Sequence, residues 1–405
     1  MFAAISACDP AGADIQAPNQ SGNKTRMECT GQTIKCKALV IWGKKNIKLE
    51  EIEVDPPKAG EVRIKMLYNA LCHTDIALIN GWVVGAKYPC IPGHEATAEV
   101  ESVGEGVTRL QPGDIVIPTP FPQCNKCKMC TSGKTNLCEE MDLNQLTMPL
   151  GDGTTRIKCR GEDVFNGFGI ATFSEYSVVK ECALAKINPK APADKACLVG
   201  CGIATGYGAA VNTAQVREGD KVAVIGLGCI GLSAVHGAKH AGAAEIIAID
   251  SNPKKFDAAM KMGATKCVNP KDCPEGTEFS EWFTKEHGAM DKSLECVGDV
   301  DCMRQAIEIV SKGWGRAVIL GVQPPEDKLE ISPALLLEGR TVLGGCVGDY
   351  HTVDEFPKLV DKLMAGEITP EPMITHHYHL EQFQDAVQQM DKGKCIRAVF
   401  ELSAH

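Results

Sequence analysis

The stretch Lys221–Gly231, KVAVIGLGCIG, constrains the fold of this chain more than any other segment. A β-branched apolar run leads directly into Gly226, Gly228 and Gly231 in G-x-G-x-x-G spacing, and a helix-like pattern from Leu232 to Ala241 follows at once. A chain with this order of strand, glycine turn and helix can bind a pyrophosphate. Gly226 permits the tight turn, Gly228 lets backbone approach the phosphates, and Gly231 lets the helix close on the strand. The helix N-terminus then offers free N–H groups and a partial positive charge. The next apolar run, EIIAID, ends in Asp250. An acid there accepts hydrogen bonds from ribose hydroxyls and repels the extra phosphate of NADP, so the expected dinucleotide is NAD, with Lys255 assisting at the ribose. In a chain holding 40 glycines, three at this spacing could be coincidence. The succession of strand, loop, helix, strand and acid decides against it.

Around this motif the texture alternates between strand and helix. EIIAID, the amphipathic stretch Pro253 to Met262, MDKSLECVG and GRAVILGV imply a doubly wound parallel sheet of the α/β class. Before it, from Ile34 to about Ile117, short β-branched runs broken by turns (KCKALVIW, GEVRIKML, TAEVESVG, QPGDIVIP) predict a mostly β unit. After Cys346 come helical patterns at Thr352 to Met364 and Leu380 to Met390, then a closing strand, IRAVFEL. The expected organisation is an extension over 1–30, a mostly β unit over 31–202 with a cysteine lobe at 124–138, and a dinucleotide unit over 203–345. Residues 346–405 are expected to return and complete the first unit. A length of 405 residues suits such a two-unit chain.

Charge and cysteine usage narrow the setting. A net charge of -10 disfavours a nucleic-acid footprint, which needs clustered Lys and Arg. The longest apolar run, Val222 to Val235, is too short and too glycine-rich for a bilayer span, so no membrane partner is expected. The first 30 residues lack the pattern of a secretory signal, and Met27 offers an alternative start. Twenty cysteines in a chain long enough to build its own core read as reduced thiols and metal ligands, which points to the cytoplasm.

Cys124, Cys127, Cys130 and Cys138 sit on so short a segment that four thiolates can close tetrahedrally around one zinc ion, leaving no position for water. This is the pattern of a structural site. A zinc-ribbon role at nucleic acid would need the basic surface that composition denies. A catalytic zinc needs three ligands and a vacancy, gathered from distant segments. Cys72 in LCHTD, His94 in PGHEA and Cys201 in VGCGIATGYG lie beside turn-forming or small residues, but spacing alone cannot join them. His376, His377 and His379 lack a nearby cysteine or carboxylate in sequence and read as loop or strand surface.

Taken together, LCHTD, GHEATAEVESVGEGV, the four-cysteine lobe, VGCGIATGYGAAVNTA, VIGLGCIG and GKCIRAV resemble the animal zinc alcohol dehydrogenases of the medium-chain dehydrogenase/reductase family, with class II and class III relatives. The resemblance runs in order from Ile34 to Leu402. It implies a Rossmann coenzyme domain beside a GroES-like catalytic domain, two zinc ions per subunit, and a homodimer formed by sheet extension through GRAVILGV and neighbouring strands. It further implies Cys72, His94 and Cys201 as catalytic zinc ligands, Asp75 as the carboxylate holding the His94 ring, and Glu95 behind the metal. Thr74 would pass the alcohol proton towards the nicotinamide ribose, and His73 and Arg397 would grip the pyrophosphate. Two thiolates and a neutral imidazole cancel the charge of zinc, so such a site stabilises a developing negative oxygen yet releases an uncharged aldehyde.

Two departures bear on substrate. Ala77 stands where many relatives carry a proton-passing histidine, so the proton must leave by another route, and the pH dependence of turnover should differ accordingly. Asp142 stands where the glutathione-dependent formaldehyde branch has an arginine, and Trp82, Val83 and Val84 replace its acids. An apolar primary or secondary alcohol is therefore the expected substrate, with S-(hydroxymethyl)glutathione as the alternative. A third reading, a non-catalytic NAD-binding structural protein, would be favoured by the loss of a catalytic zinc ligand, and none is missing.

Overall fold

The structure is a computed structural model that describes residues 31–83, 85–141, 147–148, 150–324 and 326–402. The extension 1–30, Val84 and Asp142 lie outside the described residues.

Three sheets organise the described residues. The strands Lys221–Ile225, Glu245–Ile249, Lys266–Val268, Lys292–Glu295, Arg316–Ile319 and Thr341–Gly344 form one parallel sheet. Its first strand lies in the middle: the second and third build outward on one side, the fourth to sixth on the other. Strand order thus reverses between Lys221–Ile225 and Lys292–Glu295, and the crevice beyond their carboxyl ends is where such sheets bind ligands. Val222 to Ile225 are buried because helices cover both faces, which is why the run reads as continuously apolar. The helix Cys229–His240 lays Leu232, Ala234, Val235 and Ala238 into the core beside the sheet.

The remaining strands are mostly antiparallel. In a six-stranded sheet, Cys90 pairs with both Ile41 and Phe165, curling the sheet back on itself. In the seven-stranded sheet, the long strand Glu61–Leu71 takes three neighbouring strands into register. One of them is the closing strand Arg397–Glu401, with Ala398 opposite Leu71. Side chains alternate across a pleated strand, and this register brings Arg397 to the end of Leu71, immediately before Cys72.

The strand Ile374–His379 lies parallel to Arg397–Glu401 at the sheet edge, with His377 and His379 exposed. Arg316–Ile319, the core of GRAVILGV, is flanked on both sides by strands, so the edge of the parallel sheet on that side is Thr341–Gly344, the other edge being Lys266–Val268. Among the described residues, no helix is long and apolar enough to cross a membrane.

Candidate metal and coenzyme site

Cys72 follows the strand Glu61–Leu71 and caps the helix His73–Asn80, in extended backbone. Three residues on, Asp75 turns back over the first helical turn, as an acid at that position does. Its Oδ2 accepts from the Cys72 backbone N at 3.0 Å, while Oδ1 accepts from Gly93 N at 3.0 Å and lies 3.0 Å from His94 Nδ1. One fully buried carboxylate therefore ties two distant segments together. Gly93 has φ +103, and a Cβ there would meet Phe173 N and Thr172 Oγ1 at 2.5 Å. Only glycine makes this turn, which delivers His94 into the interior.

Cys201 caps the helix Gly202–Gly208 and brings its Sγ to 3.9 Å from Cys72 Sγ. The ligand atoms of Cys72, His94 and Cys201 all lie within 4.8 Å of one another. His94 Nε2 is buried without a hydrogen-bond partner. A buried polar atom left this way is costly, and a metal ion satisfies it. Two thiolates at about 2.3 Å from a tetrahedral zinc stand ~3.8 Å apart, so the observed sulfur spacing fits the ion. The two thiols lie within hydrogen-bond reach of each other. Their mutual hydrogen bond, helped by Arg397 and His94, draws Cys72 well below the usual thiol range. The same bond, with burial, pushes Cys201 well above it. Thr74 Oγ1 lies 3.7 Å from Cys72 Sγ, and His73 beside it is exposed.

Behind this cluster sits an ion pair. Glu95 is fully buried, its Oε1 accepts from Gly202 N at 3.3 Å, and its Oε2 lies 3.3 Å from Arg397 Nη1. Arg397 Nη1 also donates to Leu71 O at 2.7 Å. Burial raises the Glu95 carboxyl to about 7, against the pull of Arg397. Gly202 stands at a crossing point: a Cβ there would lie 2.5 Å from Cys229 Sγ and 2.9 Å from Arg397 Nη2. The first residue of the glycine-loop helix is thereby packed against the ion pair behind the metal cluster.

The glycine loop has the three distinct environments its spacing predicts. Gly226 has φ +91, and a Cβ would meet Val297 Cγ2 at 2.7 Å. A Cβ on Gly231 would fall 1.7 Å from Gly226 O, whereas one on Gly228 meets nothing within 4 Å. The Gly228 face is the open one, and it is where a pyrophosphate has room. Asp250 receives Leu227 N at 2.8 Å and Lys255 Nζ at 2.9 Å on Oδ2, and Asn252 N at 2.8 Å on Oδ1. The acid thus also fastens the glycine loop, and Lys255 is paired with it.

In the lobe, Cys124 and Cys130 sulfurs stand 4.0 Å apart, and those of Cys127 and Cys138 3.9 Å. Cys127 N and Cys130 N donate to the preceding sulfurs at 3.3 Å. Backbone N–H groups of Glu139 and Cys130 lower the Cys127 thiol to about 6, favouring the thiolate a metal needs. The spacing again matches a tetrahedral zinc.

Two residues escaped the sequence reading. Phe168 packs its ring edge-to-face on His94, with centroids 4.7 Å apart. Glu295, fully buried at the carboxyl end of Lys292–Glu295, accepts Val297 N at 2.7 Å, Gly298 N at 2.8 Å and Gly321 N at 3.2 Å, joining two loops at the crevice. An acid closing an otherwise buried strand, and an aromatic residue set between Gly167 and Gly169, were the available signals.

Residues 58–189 match the family described as alcohol dehydrogenase GroES-like domain, and residues 229–365 match zinc-binding dehydrogenase. The chain is 46% identical over 375 residues to the class-3 alcohol dehydrogenase of Myxine glutinosa, covering 92% of this chain and 99% of that one. It is 44% identical over 373 residues to the class-3 alcohol dehydrogenase of Caenorhabditis elegans, covering 91% and 97%. Among solved structures, an alcohol dehydrogenase zinc-binding domain protein from Burkholderia ambifaria matches with a TM-score of 0.84 at 28% identity, covering 92% of this chain and all of that one (100%).

Proposed function

The chain belongs to the zinc-containing alcohol dehydrogenases of the medium-chain dehydrogenase/reductase family, and on that premise we propose which of its residues carry the reaction and which alcohols it takes. It is an NAD-dependent oxidoreductase with a GroES-like and a Rossmann domain. We assign these domains to 31–202 with 346–405, and to 203–345. Zinc would supply a Lewis acid that makes an alcohol hydroxyl more acidic, and NAD would supply the hydride acceptor.

The protein's part is positioning and charge. Cys72, His94 and Cys201 would hold the catalytic zinc, a role supported above all by the unpartnered Nε2 of buried His94 beside two thiols. Asp75 fixes the tautomer and orientation of that ring through Nδ1. Glu95 and Arg397 form the charged floor beneath it. Thr74 receives the alcohol proton and hands it towards the ribose. Ala77, buried and apolar, offers no onward acceptor, so water carries the proton out. Gly226, Gly228 and Gly231 with Asp250 and Lys255 hold the dinucleotide, and Arg397 and His73 meet its pyrophosphate. Cys124, Cys127, Cys130 and Cys138 hold the structural zinc.

The substrate we favour is an apolar primary or secondary alcohol. Phe168 lines a small cavity with Pro120, Met141, Leu150 and Ile170, where the ion pair of Glu140 and Lys180 also contributes. The exposed ring of Trp82 and the partly buried Val83 add apolar surface in the segment assigned to the pocket. The class-3 relatives also fit the glutathione-adduct alternative. Turnover of octanol well above that of formaldehyde plus glutathione supports the first reading, and the reverse ranking supports the second. We also propose a homodimer joined at the Thr341–Gly344 edge, in a cytoplasm whose reducing conditions keep the ligand thiols free. For the site itself, Cys201→Ala is expected to keep the fold and one zinc per chain while losing alcohol oxidation; a fully active variant overturns the assignment.

A further inference from the structure

The loop joining strands Glu162–Gly167 and Tyr176–Lys180 holds two residues in left-handed backbone, Phe168 at φ +55 and Ala171 at φ +52. A bulky side chain seldom adopts this conformation. It persists where neighbours over-determine it, and such residues gather at functional sites. The neighbours here belong to the segment that carries His94. Ile91 pairs with Asn166 in a parallel ladder, Phe173 N donates to Pro92 O at 3.0 Å, and Thr172 N donates to Gly93 O at 3.3 Å. Asn166 Nδ2 donates to Val178 O at 3.0 Å, Ser177 Oγ to Ile170 O at 2.8 Å, and Thr172 Oγ1 to Asn69 Oδ1 at 2.7 Å. The loop is laced from both ends to the two strands and to the turn before the histidine.

What this lacing holds in place is the Phe168 ring. It is 6% exposed and meets the His94 ring edge-to-face, at 4.7 Å between centroids and 62° between planes. Asp75 holds His94 through one nitrogen, Nδ1. A single hydrogen bond leaves the ring free to rock about it. The edge-to-face contact with Phe168 opposes that rocking, while Nε2 lies within 4.8 Å of both thiol sulfurs.

We propose that Phe168 is a positioning residue, whose ring, held by a left-handed backbone, braces His94 so that Nε2 meets the metal in one fixed orientation. The proposal rests on the assignment of Cys72, His94 and Cys201 as zinc ligands. Aromatic edge-to-face pairs are geometrically selective, and groups that orient a metal-bound histidine set metal affinity together with the ligands themselves. Phe168→Gly removes the ring and the unfavourable backbone at once; the lost burial of the ring outweighs the relieved backbone, so its metal-free form melts below the wild-type temperature.

The test uses the purified holoenzyme. Zinc release to EDTA is followed for each site, with the four-cysteine lobe as internal control, and the visible bands of enzyme carrying cobalt(II) at the cluster report ligand geometry. Phe168→Gly, and Phe168→Leu should the glycine variant fold poorly, are expected to lose the cluster zinc about tenfold faster, with shifted cobalt bands and unchanged release from the lobe. Phe168→Tyr, which keeps the ring, is expected to match wild type in both readouts. Wild-type release and unshifted bands in Phe168→Gly or Phe168→Leu overturn the brace, as does a Phe168→Tyr variant that behaves like Phe168→Gly. A wild-type chain holding zinc only in the lobe overturns the ligand assignment itself, a result visible before any variant is made.

Discussion

Asp75 shows how much a single buried carboxylate can decide. Its two oxygens serve three partners, Cys72 N, Gly93 N and His94 Nδ1, each at 3.0 Å. Asparagine has nearly the same shape but one acceptor fewer, so in Asp75→Asn an N–H group must face another donor. The expected result is catalytic zinc held about 10- to 100-fold more weakly, with the lobe zinc untouched. Competition with a chromophoric chelator measures it, and unchanged affinity at the cluster would show that the carboxylate does not support the metal. Glu95 and Arg397 make a comparable point. Neither is exceptional in sequence, yet both are buried and face each other because Arg397–Glu401 pairs with Glu61–Leu71 in one particular register.

At the scale of the element, the strand–loop–helix unit from Lys221 to His240 separates folding from binding within one motif. A methyl group on Gly231 has no room, since Gly226 O would lie 1.7 Å away, so Gly231→Ala must push helix and strand apart. Overpacking of this kind costs about 1–3 kcal/mol, and a lower melting temperature of the coenzyme-free enzyme is expected. The methyl of Gly228→Ala meets nothing within 4 Å, so stability should hold within about 0.5 kcal/mol. Its expected defect is confined to NADH, with affinity at least about tenfold weaker because the methyl stands where backbone must approach the phosphates. Calorimetry and fluorescence titration read the two quantities independently. Equal NADH affinity in Gly228→Ala and wild type would remove the pyrophosphate from that face.

For the whole molecule, the edge of the parallel sheet at Thr341–Gly344 matters most. Thr341–Gly344 has one free side, and the helix Pro333–Leu337 before it exposes Leu336 at 47% and Leu337 at 88%. An open strand beside exposed leucines is the kind of surface a second copy of the chain covers. Light scattering is expected to give about twice the 43.4 kDa chain mass for the native enzyme. Leu337→Glu, which places a charge in that surface, is expected to give a monomer that keeps its melting behaviour and both zinc ions. A wild-type mass equal to one chain removes the dimer, and an unchanged Leu337→Glu dimer moves the interface elsewhere.

What the sequence settled by itself was whatever a few consecutive residues encode. The glycine spacing, the acid ending the next strand and the four lobe cysteines each lie within a short segment, so turn geometry, helix start and ligand spacing were readable as local rules. The alternation of strands and helices likewise announced the parallel sheet, because period and punctuation are properties of neighbours in the chain. The meeting of Cys72, His94 and Cys201 was of another kind. Resemblance supplied it, and no spacing did, because the three come from separate segments that only strand register, the turn at Gly93 and the Asp75 bridge bring within 4.8 Å. Phe168 and Glu295 stayed hidden for the same reason: their partners are distant ring and backbone atoms, chosen by packing. Local sequence writes the elements, and the long-range closure that buries one face of each against another decides which side chains share a site.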